Sequence, residues 1–315
     1  MPELGAVVVS WNSAADIGRC VDALLAQGVR EIVVVDNASR DRTCEEVRRR
    51  GVRLIANPWN RGFAAAANQG IAALNQPLAL LANPDTEVLE GLEALVEACR
   101  PPDVAAAGGR LVDERGRPQA GFMVRRFPTP VSLALEMLGI NRVWPGNPIN
   151  RRYRALDLDP DRPAEVEQPA GAFLAIRREA WRRLGGLDEA FHPLWFEDVD
   201  WLRRARQAGY RILYEPRAVA RHRGAGSVAA LSWEQRRLYW YDSLLRYAAR
   251  HFSPAWYGLV GAAALLAGAM RATGDTFGVG GKALRVYGRI VRLAVRRLVH
   301  ARREGERLTL GMTRP

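Results

Sequence analysis

The sequence predicts an α/β protein with a mostly parallel central sheet, followed by a helical C-terminal region. Short apolar runs without polar alternation, typical of strands buried on both faces, alternate with segments of helical spacing over the first hundred residues. This alternation favours parallel strands joined by helical crossovers. From residue 226 onward the apolar spacing is helical throughout.

The elements follow in order along the chain. Strands are expected at 4–10, 31–36, 52–56, 78–82 and 104–108, and helices at 14–26, 40–50, 63–74 and 88–99. A Pro/Gly/Arg-rich region, 110–163, is expected to hold one hairpin and a short helix near 131–138. Beyond it we expect strands at 166–176, 210–214 and 218–220 and a helix at 178–184.

Composition limits the class of protein. The chain has 315 residues, 48% of them hydrophobic, which is ample for a large core. Its net charge is +12, and residues 226–315 supply +10 of this, with fifteen Lys and Arg against five Asp and Glu. The three cysteines show no CxxC spacing, so neither a zinc site nor a disulfide framework is expected. The N-terminus has no secretory signal pattern.

Polar residues follow four of the predicted strands, at the edge where open α/β sheets bind ligands. They are Ser10-Trp11-Asn12, Asp36-Asn37, Asn57-Pro58-Trp59-Asn60 and Asn83-Pro84-Asp85. The sequence lacks both the dinucleotide fingerprint and the P-loop, so these groups are better suited to a ribose, a base edge or a metal-bound diphosphate.

Two carboxylates at this edge have both a functional and a structural interpretation. Asp36 could bind the base or ribose of a nucleotide, or it could be a helix cap or turn residue. Asp85 could supply a carboxylate to Mg²⁺ or Mn²⁺, which complete their shells with phosphate oxygens and water, or it could cap the following helix.

The stretch from Trp195 to Trp201 contains three carboxylates among aromatic residues, Trp-Phe-Glu-Asp-Val-Asp-Trp. A carboxylate beside large apolar side chains is partly desolvated, which raises its proton affinity and suits it to general-base catalysis. The alternative is a helix N-terminus whose acids complement the helix dipole. We expect Trp195, Phe196 and Trp201 to offer aromatic faces to the C–H surface of an acceptor sugar.

Seven motifs in this order resemble family 2 inverting glycosyltransferases of the GT-A fold, most of all rhamnosyltransferases acting on polyprenyl-diphosphate-linked acceptors. The resemblance covers about residues 4–225. The motifs are Val7–Asn12, Val35–Ser39, Asn60–Ala64 with Asn68 and Gly70, Asn83–Asp85, Gly171–Phe173, Gly185–Phe191 and Phe196–Asp200.

The resemblance implies a role for each position. Asp198 would be the base that deprotonates the acceptor hydroxyl, with Glu197 beside it. Asp85 and His222 would lie near a metal ion, Mg²⁺ or Mn²⁺, and the donor diphosphate. The nucleotide sugar, linked to dTDP, UDP or GDP, would be bound by Ser10, Asn12, Asp36, Asn37, Arg61, Asn83 and Asp85.

One position departs from the family pattern. The acidic D-x-D motif appears here as Asn83-Pro84-Asp85, which leaves less charge to hold a divalent ion. Arg61, Arg221 or Arg223 could then neutralise part of the diphosphate, since a guanidinium group matches phosphate geometry.

Residues 1–225 are accordingly expected to form the catalytic domain, with a nucleotide-binding half to about residue 110 and an acceptor half after it. Residues 226–315 would form a helical, basic, membrane-associating region. Its segment 252–270 has nineteen residues without a charge, and a soluble hairpin, a re-entrant anchor and a true span all remain open.

The basic helix expected at 280–303 carries arginines beside an apolar stripe and is typical of attachment to an anionic membrane surface. We therefore expect peripheral or monotopic attachment to the cytoplasmic face, where a lipid-linked acceptor would be found, and no nucleic-acid partner. Two other functions remain open, a sugar-phosphate nucleotidyltransferase and a non-catalytic membrane-bound scaffold.

Overall fold

A computed structural model describes residues 3–224, 226–229, 231–279 and 285–296. The chain divides into two compact units. The first unit comprises Met1–Phe127 and Arg154–Leu231, and the second comprises Pro128–Tyr153 and Ser232–Pro315. Residues 128–153, expected from the sequence to lie in the acceptor half, thus group with the C-terminal helices.

The strands are β1 (Leu4–Ser10), β2 (Ile32–Asp36), β3 (Arg53–Ala56), β4 (Leu78–Ala82), β5 (Thr86–Glu90), β6 (Val104–Val112), β7 (Val124–Arg125), β8 (Ala164–Glu165), β9 (Gln168–Pro169), β10 (Phe173–Arg177) and β11 (Arg211–His222). The helices are α1 (Ile17–Ala26), α2 (Thr43–Arg48), α3 (Phe63–Ala73), α4 (Leu92–Ala98), α5 (Pro130–Met137), α6 (Ile140–Val143), α7 (Pro148–Tyr153), α8 (Arg178–Arg183), α9 (Glu197–Gln207), α10 (Gly226–Ala229), α11 (Trp233–His251), α12 (Pro254–Val279) and α13 (285–296).

The first unit is built on a nine-stranded sheet in the order β3-β2-β1-β4-β10-β6-β11-β5, with β8 also paired to β11. Strands β1 to β4 are parallel to one another. Strand β10 is antiparallel to both β4 and β6, so β6 runs in the same direction as β1 to β4. Strand β11 is parallel to β6 and shares this direction. The predicted α/β fold with a mostly parallel sheet is confirmed.

The core of this unit lies between the sheet and its helices. Strands β1, β2 and β4 are buried along their whole length, which explains their unbroken apolar sequence. Helix α1 buries Ile17, Cys20, Val21 and Leu24 at helical spacing. Helix α3 lies so close to β1 that a Cβ on Gly70 would come within 2.3 Å of Val7 Cγ1. The carboxyl ends of these strands are therefore held in a fixed arrangement.

The helix predicted to begin at residue 88 begins at Leu92 instead. Residues 86–90 form β5, antiparallel to β11, and their burial alternates as expected for a strand with one covered face. Gly91 ends the strand with a φ of +79°, and a Cβ there would come within 2.0 Å of Arg217 O. Strand β5 follows directly on the Asn83–Asp85 turn and positions it.

Three other predicted strands differ from the structure. The strand expected at 166–176 is split into β9 and β10, and residues 170–172 between them leave the sheet. The strands expected at 210–214 and 218–220 are one strand, β11, whose register against β6 shifts between Glu215 and Val219. Pro216, which has no N–H to donate, lies inside that irregularity.

In the second unit, α5 packs against α12, and Arg271 Nη2 donates to Met137 O at 3.0 Å. Helix α11 begins with a reciprocal cap between Ser232 and Gln235. In the part of the chain that the structure describes, no helix has the length and hydropathy needed to cross a bilayer.

The basic helix predicted at 280–303 is described over 285–296 only, so residues 280–284 and 297–303 of the prediction lie outside the described residues. Within the second unit it buries Val286, Tyr287, Ile290 and Ala294, and Tyr287 packs edge-on against Trp233. In the predicted apolar stripe Tyr287 is covered by protein, Val291 is partly covered and Val295 is exposed, so attachment of this helix to a membrane surface stays a prediction.

Candidate active site

The carboxylate of Asp36, at the end of β2, is bound by serines from two neighbouring loops. Ser10 Oγ donates to Asp36 Oδ1 at 3.1 Å. Ser39 donates to the same carboxylate twice, through its N–H to Oδ2 at 2.9 Å and its hydroxyl to Oδ1 at 2.5 Å. Asp36 therefore makes the turn contacts that its structural interpretation predicts, and it does so at the ligand-binding edge of the sheet.

Asn37 joins three loops at this edge. Its Nδ2 donates to Gly62 O at 3.0 Å, and its Oδ1 accepts from Asn57 Nδ2 at 3.1 Å and from the Arg61 N–H at 3.3 Å. Ser10 and Asn37 are both buried. Asp36 is buried to the same degree, so all three residues support the floor of the site in this arrangement, and their contact with the nucleotide stays a prediction.

Asn12 links the loops that follow β1 and β2. Its side-chain Oδ1 accepts from the Arg40 N–H at 2.8 Å, and its own N–H donates to Ser39 Oγ at 2.8 Å. It has a φ of +50°, a left-handed conformation that Asn tolerates better than most residues. Asn12 is half-buried, so part of its amide still faces the edge of the sheet.

The rim of this edge is exposed. Arg61 is exposed, and among the described residues its side chain has no ion-pair partner. Trp59 is 65% exposed and offers an aromatic face next to the floor. A cavity of about 540 Å³ extends from Arg61 along α3 toward Trp181, Arg182 and Glu189.

The Asn83–Asp85 turn is fixed to the segment between β9 and β10. Both the Asn83 N–H and Thr86 Oγ1 donate to Ala172 O, each at 3.1 Å. The Thr86 N–H closes the turn onto Asn83 O at 3.0 Å. Since helix α4 begins only at Leu92, Asp85 does not cap it, and the structural alternative for Asp85 is wrong.

Asp85 faces His222, at the end of β11. Asp85 Oδ1 lies 3.5 Å from His222 Nε2, and both side chains are largely buried. The imidazole ring is stacked on Phe122 with 5.0 Å between ring centroids. Gln119 Nε2 donates to His222 O at 2.6 Å, which leaves Gln119 Oε1 to accept from His222 Nδ1 at 3.2 Å.

This arrangement orients a lone pair of His222 toward Asp85. Burial lowers the pKa of His222, although the Asp85 carboxylate opposes that shift, so the neutral ring is favoured. With the proton on Nδ1, Nε2 carries a lone pair that points at a carboxylate oxygen.

The side chains of Asp85 and His222 can both coordinate a divalent cation. The carboxylate suits Mg²⁺ or Mn²⁺, and the softer imidazole favours Mn²⁺ of the two. No group of three or more His, Cys, Asp or Glu side chains suited to a metal occurs within the described residues. The chain would therefore supply two ligands and leave the other positions to phosphate oxygens and water.

The other arginines near this turn are already paired. Arg221 Nη1 lies 2.9 Å from Glu87 Oε2, and Arg223 lies within 3.5 Å of both Asp16 and Glu114. Of the three arginines considered for the diphosphate, Arg61 has the most available side chain.

The loop before α9 is strained. Trp195 and Phe196 have φ values of +76° and +70°, which are unusual for bulky residues and cost of the order of 1–3 kcal/mol each. Phe196 is the N-terminal flanking residue of α9, so this conformation sets where Glu197 and Asp198 project. The same loop contacts the start of α3, where the Phe63 N–H donates to Pro193 O at 2.7 Å.

Asp198 is held by two backbone groups. Its Oδ2 accepts from the Gly171 N–H at 3.2 Å, and its Oδ1 accepts from the Val199 N–H at 2.8 Å. Burial raises the pKa of Asp198, while these hydrogen bonds and the charge of Arg125 oppose the shift. Gly171 is required for this approach, because a Cβ there would come within 2.8 Å of Asp198 Oδ2.

The other two carboxylates of the cluster are inside the protein. Glu197 is 7% exposed, its Oε2 has no hydrogen-bond partner among the described residues, and burial raises its pKa well above the ordinary value. Asp200 is fully buried and pairs with Arg204 at 2.8 Å. Asp200 therefore stabilises α9, and Asp198 is the carboxylate that is partly accessible.

The aromatic residues of the cluster differ in exposure. Trp195 is half-buried and Phe196 is almost completely buried. Trp201 is 0% exposed and belongs to the hydrophobic core of the first unit. The expectation that Trp201 contacts the acceptor is wrong, because its face is covered by protein.

One short segment joins Asp198 to the Asn83–Asp85 turn. Ala172 O accepts from that turn, and Gly171, the preceding residue, donates to Asp198. The sequence predicts residues 170–172 to lie inside a strand and gives no indication that Gln119 belongs to the site. The small residues at 170–172, in the middle of an apolar run, were the signal that the chain leaves the sheet there. Gln119 lies in a loop whose sequence has no recognisable pattern.

Comparison with known proteins identifies the family of the chain. The family described as glycosyl transferase family 2 matches residues 6–180. An N-acetylglucosaminyl-diphospho-decaprenol L-rhamnosyltransferase of Mycobacterium tuberculosis is 30% identical over 71% of this chain and 77% of its own length. The hexosyltransferase Agl10 of low-salt glycan biosynthesis in Haloferax volcanii is 25% identical over 67% of this chain and 64% of its own length. The chain belongs to glycosyl transferase family 2 and is a glycosyltransferase.

Solved structures confirm the expected GT-A fold. The mannosyltransferase PcManGT from Pyrobaculum calidifontis, in complex with GDP-Man and Mn²⁺, aligns with a TM-score of 0.53 at 18% identity, over 95% of this chain and 87% of that one. S. aureus TarS 1-349 aligns with a TM-score of 0.55 at 15% identity, over 94% of this chain and 81% of that one.

Proposed function

We propose that the chain transfers a sugar from a nucleoside-diphosphate sugar to an acceptor hydroxyl, with inversion, and that Asp198 is the general base. The observation that carries this proposal is the hydrogen-bonded link from Asp198 through Gly171 and Ala172 to the Asn83–Asp85 turn. It fixes a proton acceptor relative to the groups that we assign to the donor diphosphate.

Asp198 would act in a single displacement. Its partly buried carboxylate has a raised pKa and accepts the proton of the acceptor hydroxyl as the oxygen attacks the anomeric carbon. The bond to the nucleoside diphosphate breaks in the same step, so the configuration at the anomeric carbon inverts. The backbone bonds from Gly171 and Val199 hold Asp198 in one orientation throughout.

Charge on the leaving diphosphate needs compensation. Asp85 and His222 would hold Mn²⁺ or Mg²⁺, and the bound ion would stabilise the negative charge that develops on the leaving group. Arg61, exposed on the rim of the same edge, would contact a phosphate. Asp36 and Asn12 would face the base or ribose, and Trp59 would stack on the base.

The relatives suggest which substrates to test first. The M. tuberculosis relative is named for transfer of L-rhamnose to a diphospho-decaprenol acceptor. We therefore propose dTDP-rhamnose as the first donor, ahead of UDP- and GDP-linked sugars, and a polyprenyl-diphosphate-linked glycan as the acceptor. Such an acceptor would place the reaction at the cytoplasmic face of a membrane.

A ligand screen tests the donor part of the proposal. Unfolding temperature is measured with UDP, dTDP, GDP and CMP, each with and without Mg²⁺ or Mn²⁺. A nucleotide at 100 times its dissociation constant stabilises the folded state by about 2.7 kcal/mol. We expect one nucleoside diphosphate to stabilise the protein more strongly with Mn²⁺ than without it.

The product distinguishes the proposal from its alternatives. We expect inverted anomeric configuration by proton NMR and release of a nucleoside diphosphate. Consumption of a nucleoside triphosphate with release of pyrophosphate would instead identify a nucleotidyltransferase, and failure of all four nucleotides to bind would favour a scaffold.

A further inference from the structure

Large apolar side chains are exposed mainly on the second unit. In the described part of that unit they occur on the α5–α7 segment, on α12 and on α13. They are Val131, Ile140, Val143, Trp144, Ile149, Trp256, Leu259, Leu266, Met270 and Val295. Exposed apolar side chains concentrated on one unit point to an interaction surface.

Residues 140–152, which we name the α6–α7 loop, carry the most exposed of these side chains. Val143 is 88% exposed and Trp144 is 61% exposed, and the two are adjacent at the end of α6. Ile140 and Ile149 on either side are also exposed.

A buried network of amides fixes this loop. Asn147 Nδ2 donates to Asn141 Oδ1 at 3.0 Å and to Trp144 O at 2.7 Å, and Asn150 Nδ2 donates to Pro145 O at 2.7 Å. Asn141 is tied in turn to Glu136 at 2.7 Å. The three asparagines are buried while Val143 and Trp144 project outward, so the polar side chains are inside and the apolar ones outside.

The charge of the loop has one sign. Arg142, Arg151 and Arg152 are exposed, and no Asp or Glu occurs from residue 137 to residue 156. Tryptophan beside an aliphatic residue, flanked by arginine, has the chemistry of a membrane interface: the apolar groups enter the boundary between headgroups and acyl chains, and the guanidinium groups contact lipid phosphates.

We propose that the α6–α7 loop docks the protein onto an anionic lipid surface through Val143 and Trp144, with Arg142, Arg151 and Arg152 contacting headgroup phosphates. Helix α12 adds a second exposed apolar stripe, Trp256, Leu259, Leu266 and Met270. A nucleic acid would use the arginines but would gain nothing from an exposed valine. The proposal does not depend on sugar transfer.

Vesicle binding of the full chain tests this proposal. Co-sedimentation is measured with phosphatidylcholine vesicles with and without phosphatidylglycerol. The variants are Val143→Ser/Trp144→Ser and Arg142→Gln/Arg151→Gln/Arg152→Gln. Matched controls at exposed positions of the first unit are Leu25→Ser/Leu156→Ser and Arg100→Gln/Arg115→Gln/Arg162→Gln.

We expect wild type and both controls to bind vesicles that contain phosphatidylglycerol, and both loop variants to bind them at least about ten-fold more weakly. The unfolding temperature and the nucleotide response should stay unchanged, which separates this proposal from the catalytic one. Equal binding by loop variants and wild type would overturn the proposal, as would equal binding to neutral vesicles. If wild type dimerises and Val143→Ser/Trp144→Ser does not, the loop binds a second copy and the proposal is wrong.

Discussion

Inside the protein, a lone pair on His222 Nε2 faces a carboxylate oxygen of Asp85. Gln119 determines this arrangement, because its amide nitrogen is committed to the His222 carbonyl and its oxygen therefore accepts from Nδ1. Without that acceptor, the proton of a neutral imidazole could move to Nε2 and bond to Asp85, which would close the site to a cation. Groups that orient metal ligands commonly change metal affinity by about 10–100-fold.

Replacing Gln119 with Leu should weaken Mn²⁺ binding by about 10–100-fold, because His222 loses the group that fixes its proton on Nδ1. Mn²⁺ affinity is measured by electron paramagnetic resonance, and the tautomer by nitrogen NMR of the imidazole. Gln27→Leu, which removes a side-chain amide that donates to Leu89 O in the first unit, is the control. Unchanged affinity together with an unchanged Nδ1–H tautomer would contradict the positioning role.

Glu197 makes stability depend on pH in a direction set by its raised pKa. Because the folded-state pKa lies above the unfolded value, the unfolded state ionises first as pH rises, and folded-state stability falls between the unfolded value and the folded-state pKa. Glu197→Gln should therefore be more stable than wild type near neutral pH, with the difference disappearing as pH falls to the ordinary value of 4.5. Urea midpoints measured across that range test this.

Glu93→Gln, at an exposed position of α4, controls for the loss of one negative charge. A Glu197→Gln variant less stable than wild type at neutral pH would show that the carboxylate makes a stabilising contact absent from the described structure.

At the scale of elements, the sequence predicts best where burial is uniform. The strands β1, β2 and β4 are unbroken apolar runs and lie where they were expected. Strand β5 was taken for the first turn of a helix, because Val88 and Leu89 fit either period and only the pairing with β11 decides between them. Long-range pairing of this kind has no local sequence signal.

The close contact of α3 with β1 gives a stability prediction. Gly70→Ala should destabilise the protein by about 1–3 kcal/mol, because the new methyl group would overlap Val7. Gly258→Ala is the matched change on α12, where no atom lies within 4 Å of the new Cβ. It should stabilise by up to about 1 kcal/mol through helix propensity. Chemical denaturation measures both, and equal effects would contradict the packing described.

The site residues were predictable to different degrees. Asp36, Asp85 and Asp198 lie at or next to element ends and within the motifs of the family pattern, whereas His222, at the end of β11, was expected only from the resemblance. Trp201 was assigned to the acceptor because sequence spacing shows which residues share a helix face, and does not show whether that face is covered. Gln119 was missed because its contacts with His222 join residues that are far apart in sequence.

At the scale of the whole molecule, the charge distribution could be predicted from the sequence, whereas the division into two units could not. The sequence located the basic charge in residues 226–315. It could not show that residues 128–153 belong to the same compact unit, because that grouping depends on the packing of α5 against α12. It also could not show that α13 buries Val286, Tyr287, Ile290 and Ala294 within that unit.

The most direct test of the central claim compares Asp198→Asn with wild type in donor binding and in sugar transfer. The variant keeps the size of the side chain and an oxygen that can accept from Gly171, but it loses the basic carboxylate. We expect unchanged affinity for the nucleoside diphosphate and a turnover reduced by about 10²–10⁴-fold. Unchanged affinity with near-normal turnover would contradict the assignment of Asp198 as the base.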